Sequence, residues 1–167
     1  MSDRAQLCRL ATSADIEALT DLRRRLAQES EGLLPCADEV AEQDTRRFIE
    51  SDLVSMFVFP EGERLVGTLG LTRGPLRRNA HVARLWVGVT KERWGRGIGE
   101  ALMHAAFRHA STSGISRIEL SVREDNTRAL ALYRRLGMEV EGRRPRSLLV
   151  DQQFHDELWL SKLLPIS

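Results

Sequence analysis

The chain has 167 residues, 42% hydrophobic and 29% charged, which suits one domain spanning residues 1–167 with a packed core and argues against disorder. Its 25 basic and 24 acidic residues leave a net charge of +1, without the basic excess expected of a nucleic-acid binder. No apolar run approaches the roughly 20 residues of a membrane span, and the opening "MSDRAQLCRLATSAD" lacks an apolar signal core, so a cytoplasmic protein is expected.

"QLCRLAT" reads as a short first strand, and Cys8 within it, like Cys36, stands in no metal-ligand spacing; both are expected to be free thiols. "SADIEALTDLRRRLAQES" predicts a helix capped by Ser13, with Ile16, Leu19, Leu22 and Leu26 on one face. "EGLLPCAD" is a loop, and a second helix over about 39–51 carries Val40 and Phe48. "SMFVFPEGERLVGTLGLTRG" predicts two strands around "PEGE", and "NAHVARLWVGV" a further long strand. From Gly99 to about Ser113 the pattern is helical, with Ile98, Leu102, Ala105 and His109 on one stripe. "SRIELSV" alternates Ile118, Leu120 and Val122 as a strand does. "NTRALALYRRLG" predicts a helix capped by Asn126 and ended by Gly137, with Ala129, Leu132, Tyr133 and Leu136 on one face. Two last strands, about 138–143 and 154–160, flank "VDQQ". The order is β-α-α-β-β-β-α-β-α-β-β, and the β-α-β part over 81–122 implies two parallel strands. The class is α/β (α+β), a central mixed, twisted sheet flanked by helices.

"RWGRGIGEAL" sets Gly95, Gly97 and Gly99 between a strand ending near Val89 and a helix. The first turn of a helix has four unpartnered N–H groups and a partly positive dipole end. Glycines there let a phosphate approach the backbone, so the segment can cradle a pyrophosphate. A dinucleotide pattern would need a glycine where Glu100 stands, and a mononucleotide loop would need a lysine that is absent. A tight strand-to-helix turn without any ligand stays open on the glycines alone.

"VTKERWGRGIGEALM" resembles the acetyl-CoA signature of the GNAT superfamily of N-acetyltransferases, Q/R-x-x-G-x-G/A, with Trp94 where the pattern has Gln or Arg. "LSVREDNTRALALYRRLGM" resembles the family's L-x-V-x-x-x-N-x-x-A-x-x-x-Y-x-x-x-G-F segment, with Met138 for the phenylalanine. The resemblance covers about 57–164. Within the family, the ending "EGRRPRSLLVDQQFHDELWLSKLL" and the strand "HVARLWVGV" look like those of bacterial acetyltransferases of small amines and amino acids.

The resemblance implies acetyl-CoA as co-substrate, without a metal. The backbone of Gly95, Arg96, Gly97, Ile98, Gly99 and Glu100 would hold its pyrophosphate. Val87, Gly88 and Val89 would present backbone groups to the pantetheine arm and thioester, where an N–H can stabilise the oxyanion. Asn126 would lie near that arm, with helix capping as its local alternative. Tyr133 matches the general acid that serves the departing thiolate. Two positions where relatives carry acids are Arg84 and Ser121 here, so the base is open between Glu119, His81 and a water relay. Arg84 would suit a substrate carboxylate, and a surface salt bridge is its alternative. The expected activity is acetyl transfer to a primary amine of a small molecule, possible acceptors including an amino acid. Acetylation of a protein N-terminus and non-catalytic CoA binding are the rival readings. No nucleic-acid or membrane partner is expected, and a homodimer is left open.

Overall fold

Thr12, not Ser13, opens the first helix. Its N–H donates to Asp15 Oδ2 at 2.7 Å, and a single 3-10 turn, Ser13–Asp15, leads into α1 (Ile16–Glu29). Two hydrogen bonds from Arg9, each 2.7 Å, hold the same carboxylate and push its pKa down to about 2. Arg9 belongs to β1, which is only Arg9–Leu10. The computed structural model describes residues 7–29 and 35–165, so the expected start of the first strand at Gln6, the helix end at Ser30 and loop residues 31–34 lie outside the described residues.

The remaining elements follow the predicted order: α2 (Glu42–Glu50), β2 (Val54–Glu61), β3 (Arg64–Arg73), β4 (Val82–Val89), α3 (Ile98–Thr112), β5 (Arg117–Arg123), α4 (Thr127–Arg135), β6 (Glu139–Val150) and β7 (Gln153–Leu163). Val40 precedes α2 and is buried, and residues 79–81 form a turn ahead of β4. The final hairpin is longer than expected. Pro145 reads as a strand breaker, but β6 is an edge strand, where a missing N–H costs no ladder bond. Its ladder slips between Arg144 and Leu148 around that proline. Asp151 and Gln152 turn the hairpin with φ of 48° and 64°, the left-handed pair of a two-residue turn, without the glycine that would signal it.

The seven strands form one sheet in the order β1-β2-β3-β4-β5-β7-β6. Every neighbouring pair is antiparallel except β4 and β5. Alternation along each strand gives the sheet two faces. On one face Leu69, Leu71, Leu85, Ile118, Leu120 and Leu160 pack against α3 and α4. On the other, Leu19, Leu22 and Leu26 of α1 pack on Met56 and Val58, with Trp86 at the margin. Each buried Leu or Ile of these stripes stabilises the fold by roughly 1.5–3 kcal/mol. Gly88 is a glycine because a Cβ there would come within 2.7 Å of Leu26, so α1 can lie close on β4. Beyond β4 the α1 face carries Ser121 of β5 and Glu157 and Trp159 of β7.

Candidate active site

β4 and β5 pair at only three positions, Val82↔Arg117, Ala83↔Ile118 and Arg84↔Glu119, and then part. Thr90 N–H bonds Val66 C=O at 3.0 Å and Gly74 N–H bonds Val82 C=O at 2.9 Å. Even-numbered residues of β4 therefore turn their backbone groups to β3, and odd-numbered ones turn theirs to the widening gap. Val87 points both its N–H and C=O into that gap, and Val89 its N–H. Val89 C=O accepts from Trp94 Nε1 at 2.7 Å. Backbone groups with no strand opposite them need another partner. An extended chain bearing amides can supply one, so the gap is a candidate binding wedge. Gly88, by contrast, turns its backbone to β3.

At the open end of the wedge stands the glycine loop. Gly95 has φ of 71° and Gly97 of 76°, and Gly97 is the left-handed N-cap of α3. Side chains at both positions would strain the backbone. The three glycines have different roles, which their spacing conceals. Gly99 already lies inside α3, and its missing Cβ lets Leu132 of α4 approach, since a Cβ would meet Leu132 Cδ2 at 3.3 Å. Ile98 turns its side chain into the core, so only its backbone serves the loop. Glu100 holds Arg135 at 3.1 Å and His104 at 3.9 Å, which ties α3 to α4. Arg96 is exposed beside the β2–β3 turn and lines a cavity of about 300 Å³ with Phe59, Pro60 and Gly62.

Across the wedge, Asn126 Oδ1 accepts from Ala129 N–H at 3.1 Å, which makes it the cap of α4. Tyr133 is 6% exposed and packs in the apolar cluster that Val87 and Val89 border. Burial pushes its pKa up to about 12, with the Arg128 guanidinium opposing. Arg128, in the first turn of α4, sets its guanidinium carbon over the Trp94 ring, 3.1 Å from its centre.

The α1 face of the wedge carries a layer of side chains that sequence spacing does not reveal. Arg84 reaches from β4 to Ser121 Oγ of β5 at 3.5 Å and stacks on Trp159 of β7, 4.7 Å from the ring centre. Arg144 lies over the same indole at 5.5 Å. Ser121 and Trp159 are register partners, which brings the layer together. No carboxylate pairs with Arg84 among the described residues, so it forms no surface salt bridge there. Glu157, buried on this face, accepts from Ser147 Oγ at 2.9 Å and lies 3.9 Å from Arg144.

Glu119 stands beside Arg84 in register, but its carboxylate is engaged by Arg117 Nε at 2.7 Å, and Arg117 also pairs with Glu141. These two carboxylates hold the Arg117 proton well above the usual guanidinium range, and Glu141 is lowered in turn. His81 is exposed, and its C=O accepts from Ser116 and Arg117 N–H at the closed end of the wedge. At about 3.3 Å per residue, the length of β4 separates it from the glycine loop, so it is not brought together with the other residues. Trp159, Arg144, Arg128 and Glu157 were not legible as site residues, because each enters through a pairing between distant segments.

The sequence model of the family described as Acetyltransferase (GNAT) matches residues 16–138. Mycothiol acetyltransferase of Jonesia denitrificans is 40% identical over 77 residues, 46% of this chain and 24% of that protein. That of Saccharomonospora viridis is 43% identical over 53 residues, 32% of this chain and 17% of that protein. The matched segments thus span about a quarter or less of these relatives' length. A GNAT-family acetyltransferase of Streptococcus pneumoniae superposes with a TM-score of 0.86 at 25% identity, over 95% of this chain and 99% of that one. A Salmonella typhimurium protein solved with its cofactor acetyl-CoA superposes at 0.84 with 17% identity, over 95% and 93%.

Proposed function

Because the chain belongs to the GNAT family of acetyltransferases, we propose that it transfers the acetyl group of acetyl-CoA to the primary amine of a small molecule that carries a carboxylate. The likeness to mycothiol acetyltransferases covers under half of the chain, so it supports acetyl transfer and says little of the acceptor. The observation that carries the acceptor reading is Arg84, a guanidinium without a carboxylate partner, stacked on Trp159 beside the wedge.

In this reading the pantetheine arm lies along β4, with its amides on the Val87 backbone and its pyrophosphate at the loop of Gly95 and Gly97. The Val89 N–H, one residue before the chain turns into the loop, offers a donor to the thioester oxygen as it gains charge. The acceptor amine loses a proton, attacks the thioester carbon, and the tetrahedral intermediate expels CoA thiolate to leave the amide. Glu119 takes the ammonium proton through water, as the carboxylate in register with Arg84. Tyr133 faces the departing sulfur. With a pKa raised to about 12, against about 8.5 for an ordinary thiol, its phenol donates a hydrogen bond to the thiolate rather than surrendering its proton outright. Asn126 orders the start of α4, which presents Tyr133.

The test is thiol release from acetyl-CoA against a panel of plain amines, amino acids, polyamines and peptide N-termini. A charge-assisted contact is worth about 1.5–3 kcal/mol, so Arg84→Ala should raise KM for the amino-acid acceptor by roughly 10- to 100-fold. The same change should leave a plain amine nearly unaffected. Turnover confined to polyamines or peptide N-termini would remove the carboxylate from the proposal. Absence of turnover with retained CoA binding would leave a binding protein.

A further inference from the structure

Trp159 stands between two small register partners, Ser121 of β5 on one side and Gly142 of β6 on the other, where a Cβ would meet no heavy atom within 4 Å. The indole is therefore open to side chains that start farther away. Arg84 reaches it from β4, across β5, and Arg144 reaches it from β6, with their guanidinium carbons 4.7 Å and 5.5 Å from the ring centre. The two carbons can be no farther apart than these two distances together. A cation–π contact consumes none of a guanidinium's five N–H donors. The carboxylates in register with the two arginines have other partners. Glu119, opposite Arg84, is held by Arg117 at 2.7 Å. Glu157, opposite Arg144, accepts from Ser147 Oγ at 2.9 Å and stays 3.9 Å from the guanidinium, too far for a hydrogen bond. Both arginines are exposed. Two like charges that share one ring repel each other. A ligand with an anionic group at each end of a short carbon chain relieves that repulsion and engages both sets of donors.

We infer that the acceptor is an amino dicarboxylate, its first carboxylate on Arg84 and its second on Arg144, with Trp159 as the platform that holds both guanidiniums. The inference rests on the carboxylate-bearing acceptor proposed above and adds the second anionic group and the residue that selects it. Arg144 is thereby a specificity-determining residue, contributed by a strand that does not border the wedge.

Thiol release from acetyl-CoA with two matched pairs of acceptors, glutamate against glutamine and aspartate against asparagine, tests it. The members of a pair differ only in a side-chain carboxylate or amide. In at least one pair the unaltered protein should favour the acid in kcat/KM by roughly ten- to a hundredfold, the range of a hydrogen bond to a charged group. Arg144→Gln should abolish that preference, and Arg144→Lys, which keeps the charge, should retain part of it. Arg84→Ala should lower both members of the pair alike and leave their ratio in place, because the first carboxylate is common to both. Each ratio is measured within one preparation, so a partly misfolded variant lowers both activities and not the ratio. Acids and amides turned over equally by the unaltered protein would overturn the inference and leave the carboxylate-bearing acceptor standing. So would an Arg144→Gln variant that keeps the full preference. Turnover confined to amines without any carboxylate would overturn both.

Discussion

The phenol of Tyr133 is buried among apolar side chains, and this environment disfavours the phenolate. It is the only tyrosine of the chain. Tyrosinate absorbance therefore titrates this one group, and its midpoint should fall near pH 12 in the folded protein, against about 10 in the unfolded chain. The sign of the linkage follows. Between these two values the unfolded chain releases the proton more readily, so unfolding becomes easier as pH rises through that window. Below it, stability does not depend on this group. Tyr133→Phe should remove that part of the pH dependence and leave neutral-pH stability nearly unchanged, since the ring stays. In the proposed reaction the same change removes the hydrogen-bond donor to sulfur, and turnover should fall by roughly 10²–10³-fold. CoA affinity should hold, because the bond strengthens only as the sulfur gains charge. A variant that keeps more than about half of its turnover, with chemistry limiting, would return Tyr133 to packing alone.

At the scale of the element, the loop between β4 and α3 combines two demands that the glycine spacing does not separate. Gly95 and Gly97 are needed for their left-handed backbone, and Gly99 for the approach of α4. A side chain such as Ala or Glu at Gly97 costs about 1–2 kcal/mol through its φ. Gly97→Ala should show that cost in denaturant midpoints and retain measurable CoA binding. Gly97→Glu adds a carboxylate where a pyrophosphate is proposed, and should abolish binding in a protein that is still folded. Equal CoA affinities for the two variants would remove the pyrophosphate from this loop. Gly99→Ala belongs to a different class, since it should loosen the contact of α3 with α4 through Leu132.

The whole molecule is one sheet with two apolar clusters on its opposite faces, and strands β2 to β4 contribute side chains to both. A sheet cannot dissolve one face while keeping the other ordered, so both clusters should be lost in one transition. Leu102, fully buried in α3, is the clearest probe. Leu102→Ala should cost about 2–5 kcal/mol. Trp86 borders the α1 cluster and Trp159 lies over β7 beyond it. In a Trp94→Phe background, denaturation followed through Trp86 in Trp159→Phe, and through Trp159 in Trp86→Phe, should each show one transition that coincides with the loss of helical circular dichroism. A separate early transition in either variant would show that the half carrying Trp159 unfolds on its own. Among the described residues no helix is long and apolar enough to cross a membrane.

Local periodicity and capping are properties of neighbouring residues, and on these the sequence alone determined the element order, the stripe Ile98–Leu102–Ala105, the Asn126 cap and the Gly137 stop. The strand–glycine–helix unit is equally local, and it was legible with the parallel neighbour it requires. Boundaries that depend on context were not. Thr12 displaced Ser13 as a cap because Arg9 holds Asp15 in place, and Pro145 stayed within a strand because β6 lies at an edge. The side-chain layer around Arg84 was decided only by tertiary structure. β7 enters the sheet between β5 and β6, which sets Trp159 beside Ser121 and under Arg84. Arg128 meets Trp94 only because β4 and β5 diverge and the segments after them meet again. Such neighbours are fixed by strand pairing and helix packing between remote segments, and no spacing within either segment encodes them.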